Sequence, residues 1–365
     1  MENKNKNSWM DGSKAKWPVR AWLLIGLTMI FFQVVLGGIT RLTGSGLSIT
    51  KWDIVTGTLP PMSEKAWEQE YVLYQQTPQF AKVNKEMDIS SFKQIYFWEY
   101  LHRLWARSMG FVFIFPLIYF LRKHWISSSL KQDLIGVFFL AALVASFGWI
   151  MVASGLVDRP WVNAYKLMLH LGLGIFLFEF LLVTYLKVSG ITQKVASRPF
   201  GKAGRYVVWL LVIVGFQVLL GGLMSGMKAG FAFPTFPKLN GEWFPSVLLD
   251  ASNWTLENMK AYDGHTFAPA LIQVLHRMTA YLIVIVGSVF LFKVSKETCP
   301  KLCKLVVGTF VSLVSIQILL GVYTVLGCKF GVVPLTLGVL HQAVGLLTLS
   351  SVVLLWFLNK KRRIN

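Results

Sequence analysis

The sequence predicts an all-α integral membrane protein whose eight transmembrane helices form two parallel-repeated four-helix halves. Three observations predict this fold class. First, 55% of the 365 residues are hydrophobic and the mean hydropathy is +0.56. Second, the apolar residues form eight uninterrupted blocks, with basic residues concentrated between alternate blocks. Third, short motifs recur in the same order in the two halves of the chain.

Each apolar block is long enough to cross the hydrocarbon core of a bilayer, which takes about 20 helical residues. The predicted spans are residues 21–40, 94–120, 132–153, 164–186, 205–225, 267–292, 304–326 and 334–358. They assign four spans to an N-terminal half, residues 1–190, and four to a C-terminal half, residues 191–365.

The net charge of +19 would indicate a nucleic-acid partner in a soluble protein, but its distribution predicts none here. Basic residues cluster at the N-terminus, around 122–131, 187–205 and 293–304, and in the tail 360–363. Cytoplasmic loops of membrane proteins carry this excess of Lys and Arg. Both termini are therefore predicted to be cytoplasmic and segment 41–93 to face outward. The first twenty residues resemble neither a secretory signal nor an organelle transit peptide, which favours a bacterial inner membrane.

Three pairs of motifs indicate an internal duplication. The segment from Gln33, QVVLGGI, matches the segment from Gln217, QVLLGGL. The Leu-His-Arg motif at His102 is repeated at His276, and the Leu-His motif at His170 is repeated at His341. An even number of spans per half gives both halves the same membrane orientation. The Gly-Gly pairs are predicted to let helices approach closely.

Four of the six histidines lie in predicted spans, one in each even-numbered span: His102, His170, His276 and His341. Each is six to nine residues from the outer end of its span, which places all four in one layer roughly 9 to 13 Å deep. Polar residues in such positions mark functional sites. Two histidines per half, without a carboxylate or thiolate to complete a zinc site, suit a haem iron held between paired imidazoles. Arg103 and Arg277 are predicted partners of haem propionates.

The halves differ beside the first histidine of each pair. Glu99 lies three residues before His102, on the same helix face, whereas Gln273 lies three residues before His276. This asymmetry favours chemistry in the N-terminal half and a resident cofactor in the C-terminal half. An interfacial ion pair between Glu99 and Arg103 or Arg107 is the alternative role. Glu179, deeper in the fourth span, has no predicted partner.

These motifs resemble the haem A synthase family over nearly the whole chain. The matching segments include VVLGGITRLTGSGLSITKW (34–52), GTLPP (57–61), FKQIYFWEYLHRLWARSMG (92–110), LMLHLGLG (167–174), LIQVLHRMTAY (271–281) and LGVLHQAVGL (337–346). Residues 41–93 contain no cysteine. The chain thus resembles the long-loop, cysteine-free type found in mitochondria and many proteobacteria.

The resemblance implies an oxidoreductase that converts haem O to haem A for cytochrome oxidase. It oxidises one ring methyl in two successive hydroxylations, and the resulting gem-diol loses water to give the formyl group. By the same resemblance, His276 and His341 bind the iron of a b-type haem cofactor. His102 and His170 hold the substrate haem, and Glu99 is the catalytic residue.

The implied partners are haem O, membrane lipid, an electron donor that the sequence does not identify, haem O synthase and oxidase assembly factors. A homo-oligomer is compatible with the sequence. The main alternative function is a dihaem b-type cytochrome that transfers electrons from quinol, for which four histidines serve equally well. A haem carrier and a transporter are further alternatives. The Glu99–Gln273 asymmetry argues against pure electron transfer, and the outer position of the histidines argues against a transporter.

Overall fold

The protein is described by a computed structural model that covers residues 15–51, 58–157, 159–191 and 199–360. Eight helices in these ranges are long and apolar enough to span a membrane, namely α1, α4 to α7 and α11 to α13, which confirms the predicted fold class. The helices are α1 (Trp17–Leu42), α2 (Glu64–Gln75), α3 (Pro78–Lys82), α4 (Ile89–Arg122), α5 (Ser128–Ala153), α6 (Ala164–Ser189), α7 (Gly204–Gly226), α8 (Ala229–Ala232), α9 (Ser246–Leu249), α10 (Leu256–Lys260), α11 (Phe267–Val294), α12 (Lys301–Gly327) and α13 (Leu335–Asn359).

Side-chain caps mark the starts of α4 and α6. The Asp88 side chain accepts a hydrogen bond from the backbone N–H of Ser91 and begins α4, five residues before the predicted start. The Asn163 side chain accepts from Tyr165 and Lys166 and begins α6 at the predicted residue. The left-handed Gly190 ends α6. Hydropathy therefore locates the apolar part of each helix, and in α4 and α6 the caps set the first residue.

The two halves share one pattern of helix contacts, which supports the predicted repeat. In the N-terminal half α1 packs on α4 and α6, and α5 packs on α6. In the C-terminal half α7 packs in the same way on α11 and α13, and α12 packs on α13. The halves meet where α6 contacts α7 and where α13 contacts α1 and α6. We call this interface the seam.

Two hydrogen bonds at the seam join positions that correspond in the repeat. Arg41 Nη2 donates to the carbonyl oxygen of Ser225 at 2.8 Å, across 184 residues, which is also the offset between Gln33 and Gln217. Ser350 Oγ donates to Glu179 Oε1 at 2.7 Å, across 171 residues, which is also the offset between His170 and His341. Corresponding residues can meet only at the axis that relates the halves. Both contacts therefore mark the pseudo-two-fold axis.

The segment between α1 and α4 contains helical structure that the hydropathy pattern did not predict. Ser63 caps α2 and Thr77 caps α3. The buried rings of Tyr74, Phe92 and Tyr96 join these short helices to the first turns of α4. Part of the sequence pattern lies outside the described residues, namely the basic residues at 4, 6, 14, 194, 198 and 361–363 and motif positions 52–57.

Candidate functional site

One continuous cavity of about 1690 Å³ runs between the two halves. Single ligand pockets commonly measure about 300 to 1,000 Å³, so this cavity has room for more than one drug-sized molecule. Its walls include every candidate site residue predicted from the sequence: Glu99, His102, Arg103, His170, His276, Arg277 and His341. The sequence motifs therefore converge on one site, although they are spread over four helices.

The two histidines of the C-terminal pair lie close together in the cavity. The ring centroids of His276 and His341 are 6.4 Å apart. Histidine–metal bonds are about 2 Å long, so this separation leaves room for one ion between the rings. Both Nδ1 atoms are buried and have no hydrogen-bond partner among the described residues. No group of three or more His, Cys, Asp or Glu side chains in the described ranges could hold a bare ion. Two imidazoles at this separation in a mainly apolar cavity fit a haem iron.

The N-terminal pair has different hydrogen-bond partners. His170 Nδ1 lies 3.0 Å from the carbonyl oxygen of Val144, to which it can donate its proton, leaving Nε2 for a ligand. The amide nitrogen of Gln33 lies 2.9 Å from His102 Nε2 and 3.2 Å from the carbonyl oxygen of His102. The corresponding amide of Gln217 donates only to the carbonyl oxygen of His276, at 3.0 Å. Sequence analysis missed both glutamines, although the repeated QV motif contains them.

A glycine on a neighbouring helix lies against each of the four imidazoles. A Cβ atom built on Gly37 would lie 3.3 Å from the His102 ring, and one on Gly221 would lie 3.7 Å from the His276 ring. The corresponding distance is 2.9 Å both from Gly148 to His170 and from Gly321 to His341. At Gly148 and Gly321 an added Cβ would displace the ring, at Gly37 it would be a tight contact, and at Gly221 it would be an ordinary one. The predicted role of the Gly-Gly pairs in close helix approach applies to Gly222, whose added Cβ would lie 3.1 Å from Met168 Cα on α6. The sequence pattern did not indicate Gly148 or Gly321.

The carboxylate of Glu99 is buried and accepts three hydrogen bonds. Ser48 Oγ donates to Oε2 at 2.7 Å, the backbone N–H of Ile49 donates to Oε2 at 2.9 Å, and Arg103 Nη2 donates to Oε1 at 2.6 Å. In the other half Gln273 is fully buried, accepts from Arg277 Nη2 at 2.8 Å and donates to the carbonyl oxygen of Ala229 at 2.9 Å. The predicted asymmetry therefore places an ion pair beside one histidine and a neutral amide beside the other.

Arg103 and Arg277 also join α4 and α11 to the segments that precede them in the chain. Arg103 donates to the carbonyl oxygens of Ile49 at 3.0 Å and Lys51 at 2.9 Å. Arg277 donates to those of Thr235 at 2.6 Å and Pro237 at 2.9 Å. Each arginine thus binds the backbone of a loop as well as contacting Glu99 or Gln273.

Comparison with known proteins agrees with this site. Residues 20–353 match the model of the COX15-CtaA family, described as cytochrome oxidase assembly protein. A heme A synthase of Nitrosospira multiformis is 36% identical over 95% of this chain and 94% of its own length. One of Caulobacter vibrioides is 39% identical over 89% of this chain and 91% of its own length. Heme A synthase COX15 of Saccharomyces cerevisiae is 34% identical over 91% of this chain and 73% of its own length. The chain therefore belongs to the COX15-CtaA family of cytochrome oxidase assembly proteins.

Proposed function

We propose that this protein is a haem A synthase, which oxidises a ring methyl of haem O to the formyl group of haem A for cytochrome oxidase assembly. The observation that carries the proposal is one cavity lined by two histidine pairs with a buried carboxylate beside only one of them. Relatives that match most of this chain carry the same activity in their names. The reaction is two successive hydroxylations of the same carbon, followed by loss of water.

In this proposal the two halves have different functions. Residues 191–365 hold a resident b-type haem between His276 and His341, in keeping with their 6.4 Å ring separation. That haem, when bound, supplies one-electron transfer. Residues 1–190 hold haem O between His102 and His170 and contain Glu99. The alternative of a dihaem cytochrome that takes electrons from quinol explains both histidine pairs, but gives no role to the difference between Glu99 and Gln273.

Glu99 is the proposed catalytic residue. Its charge is fixed beside His102 by hydrogen bonds from Ser48, Ile49 and Arg103. A carboxylate fixed in this way stabilises positive charge that develops at the reacting methyl carbon and accepts a proton at Oε1 or Oε2. The apolar walls of the cavity exclude bulk water from the reacting carbon. Arg103 and Arg277 remain predicted partners of haem propionates, and their contacts with loop carbonyls support a positioning role as well.

We also propose that the protein lies in the bacterial inner membrane, with both termini in the cytoplasm and the haem sites toward the outer face. The support is the concentration of Lys and Arg in alternate loops. Its further partners in this proposal are membrane lipid, an electron donor, haem O synthase and oxidase assembly factors. A homo-oligomer is compatible with the apolar surface of α4 and α5.

The test of this function is the haem inventory of cells that make the protein together with a source of haem O. Extraction and mass spectrometry should detect haem A with the wild type and with His124→Ala, which changes an exposed loop histidine. The purified protein should show a low-spin b-type spectrum that His276→Ala or His341→Ala removes and His102→Ala retains. A normal b-type spectrum without haem A would favour the cytochrome. Equal loss of resident haem in all three variants would contradict the division between the halves.

A further inference from the structure

Two cations lie at the outer end of the seam. The roles proposed above for the histidines and Glu99 do not involve them. Arg41 and Lys228 both line the cavity, and they come from different halves. We propose that Arg41 and Lys228 form a binding site for carboxylate groups on the macrocycle of a bound haem. This inference rests on the proposed function, because that function supplies an iron porphyrin as the ligand.

Arg41 lies near the histidine layer of both halves. It follows Gly37 by four residues on α1, and Gly37 contacts the His102 ring. Its partner Ser225 follows Gly221 by four residues on α7, and Gly221 contacts the His276 ring. Four residues correspond to about 6 Å along a helix, so the backbone of Arg41 and the Ser225 carbonyl that it binds each lie about one turn from one of these glycines. Its Nε atom is buried and has no hydrogen-bond partner in the described part of the chain. Buried N–H groups are normally satisfied, so this donor is available to a ligand.

Lys228 has a backbone conformation that a lysine rarely adopts. Its φ of 52° is in the left-handed region, where glycine is favoured. The corresponding residue of the N-terminal half, 184 positions earlier, is Gly44, with a φ of 70°. The C-terminal half therefore carries a lysine where the N-terminal half carries the residue that suits the backbone. Residues in sparsely populated conformations cluster at functional sites. The ammonium lies 3.3 Å from the centre of the Trp161 ring, at the cavity wall.

The charges around these two residues favour an anion. Burial, together with the nearby charge of Arg41, lowers the pKa of Lys228 to about 8, and Asp263 opposes the shift. Asp263 is already bound by Arg159 and by Trp161 Nε1, the latter at 2.9 Å. Two half-buried cations that repel each other are stabilised when an anion binds near both of them. The polar anionic groups of an iron porphyrin are its carboxylates, so these are the groups that the cations would bind.

The test combines a change in the protein with a change in the ligand. The full-length protein, produced without haem, is titrated with ferric protoporphyrin IX and with its dimethyl ester, and binding is followed in the Soret band. The esters keep the iron and the macrocycle but lack the two negative charges. Arg41→Gln and Lys228→Gln should each weaken binding of the diacid at least tenfold and leave binding of the ester within about twofold. Arg41→Lys, which keeps the charge, should restore preference for the diacid.

Two comparisons make the result decisive. Arg277→Gln is the competing variant, because Arg277 is also a predicted propionate partner. Lys93→Gln is the control: Lys93 pairs with Glu64 and does not line the cavity, so this variant should bind both ligands like the wild type. If Arg277→Gln alone shows the ester dependence, or if Arg41→Gln and Lys228→Gln weaken both ligands equally or neither, the seam site is wrong. Combining Arg41→Gln with His102→Ala or with His276→Ala identifies which haem supplies the carboxylate. The difference between diacid and ester should disappear in the variant that lacks the histidine of that haem. Haem binding that survives loss of all four histidines would instead overturn the proposed function.

Discussion

At the scale of single residues, the two halves differ most clearly in the side chain three positions before the first histidine. Glu99 and Gln273 both accept a hydrogen bond from an arginine four residues further along the helix. Glu99 accepts two further bonds from Ser48 and Ile49, whereas Gln273 donates to the carbonyl oxygen of Ala229. One environment is therefore built around a negative charge and the other around a neutral amide.

This difference predicts the effect of Glu99→Gln. The amide has nearly the same size, but it has no negative charge and its nitrogen cannot accept the hydrogen bonds that the carboxylate oxygen accepts. We expect haem to bind while conversion of haem O falls by about 10²-fold or more, which is the usual contribution of a proton-transferring group. Haem O or its alcohol intermediate should accumulate. Extraction and mass spectrometry of the bound haems would measure this ratio.

The matched control is Gln273→Glu, which places a carboxylate beside Arg277 in the C-terminal half. It should create no new activity, because the reacting methyl lies in the other half, although burial of the charge lowers stability. Haem A formation by Glu99→Gln at the wild-type rate would show that Glu99 is only the ion-pair partner of Arg103.

At the scale of helices, the sequence predicted what depends on composition and repeat, and missed what depends on packing. All eight spans and the convergence of four histidines were predictable, because apolar blocks and repeated motifs are visible along the chain. Helices α2 and α3 were not, because their stability comes from rings such as Tyr74 and Phe92 that meet only in the folded protein. Gly148 and Gly321 were missed because nothing near them in the sequence indicates a histidine on the next helix.

The glycine beside each imidazole leads to a prediction about α12. A Cβ at Gly321 would lie 2.9 Å from His341 Cε1, which is too close for an unshifted ring. Overpacking of this kind costs about 1 to 3 kcal/mol, so Gly321→Ala should lower retention of the b-type haem about tenfold or more. Haem content per protein after detergent washing would measure it. Gly308 is on the same helix and has no atom within 4 Å of its added Cβ, so Gly308→Ala should retain haem. Equal loss in both variants would indicate a general effect on α12.

At the scale of the whole molecule, the pseudo-two-fold axis explains how two similar halves carry out different tasks. The axis passes between Arg41 and Ser225 and between Glu179 and Ser350. In both pairs the N-terminal half supplies the ionisable side chain and the C-terminal half supplies serine. A charge on the axis has no second copy to repel it, since its counterpart is neutral. Glu179, which had no predicted partner, is thus a contact between the halves at the seam.

The fold also predicts which segments share a side of the membrane. At one end of the N-terminal half, Lys16 lies over the Trp125 ring at 4.5 Å, and Lys187 forms a salt bridge with Asp133 at 2.9 Å. The chain start, the loop after α4 and the end of α6 therefore lie together, and they carry the basic residues. Because basic loops stay in the cytoplasm, reporters fused in 122–131 or in 293–304 should read as cytoplasmic.

A reporter at Glu68, on α2 at the opposite end of α4, should instead read as external. Fusions to one reporter active only in the cytoplasm and one active only outside would measure both sides of the prediction. Glu68 provides the sharpest site, because α2 lies in the segment packed over the Glu99 end of α4. A cytoplasmic signal at Glu68 would contradict the inferred topology. It would also move the cavity, its four histidines and the cations of the seam to the inner face of the membrane.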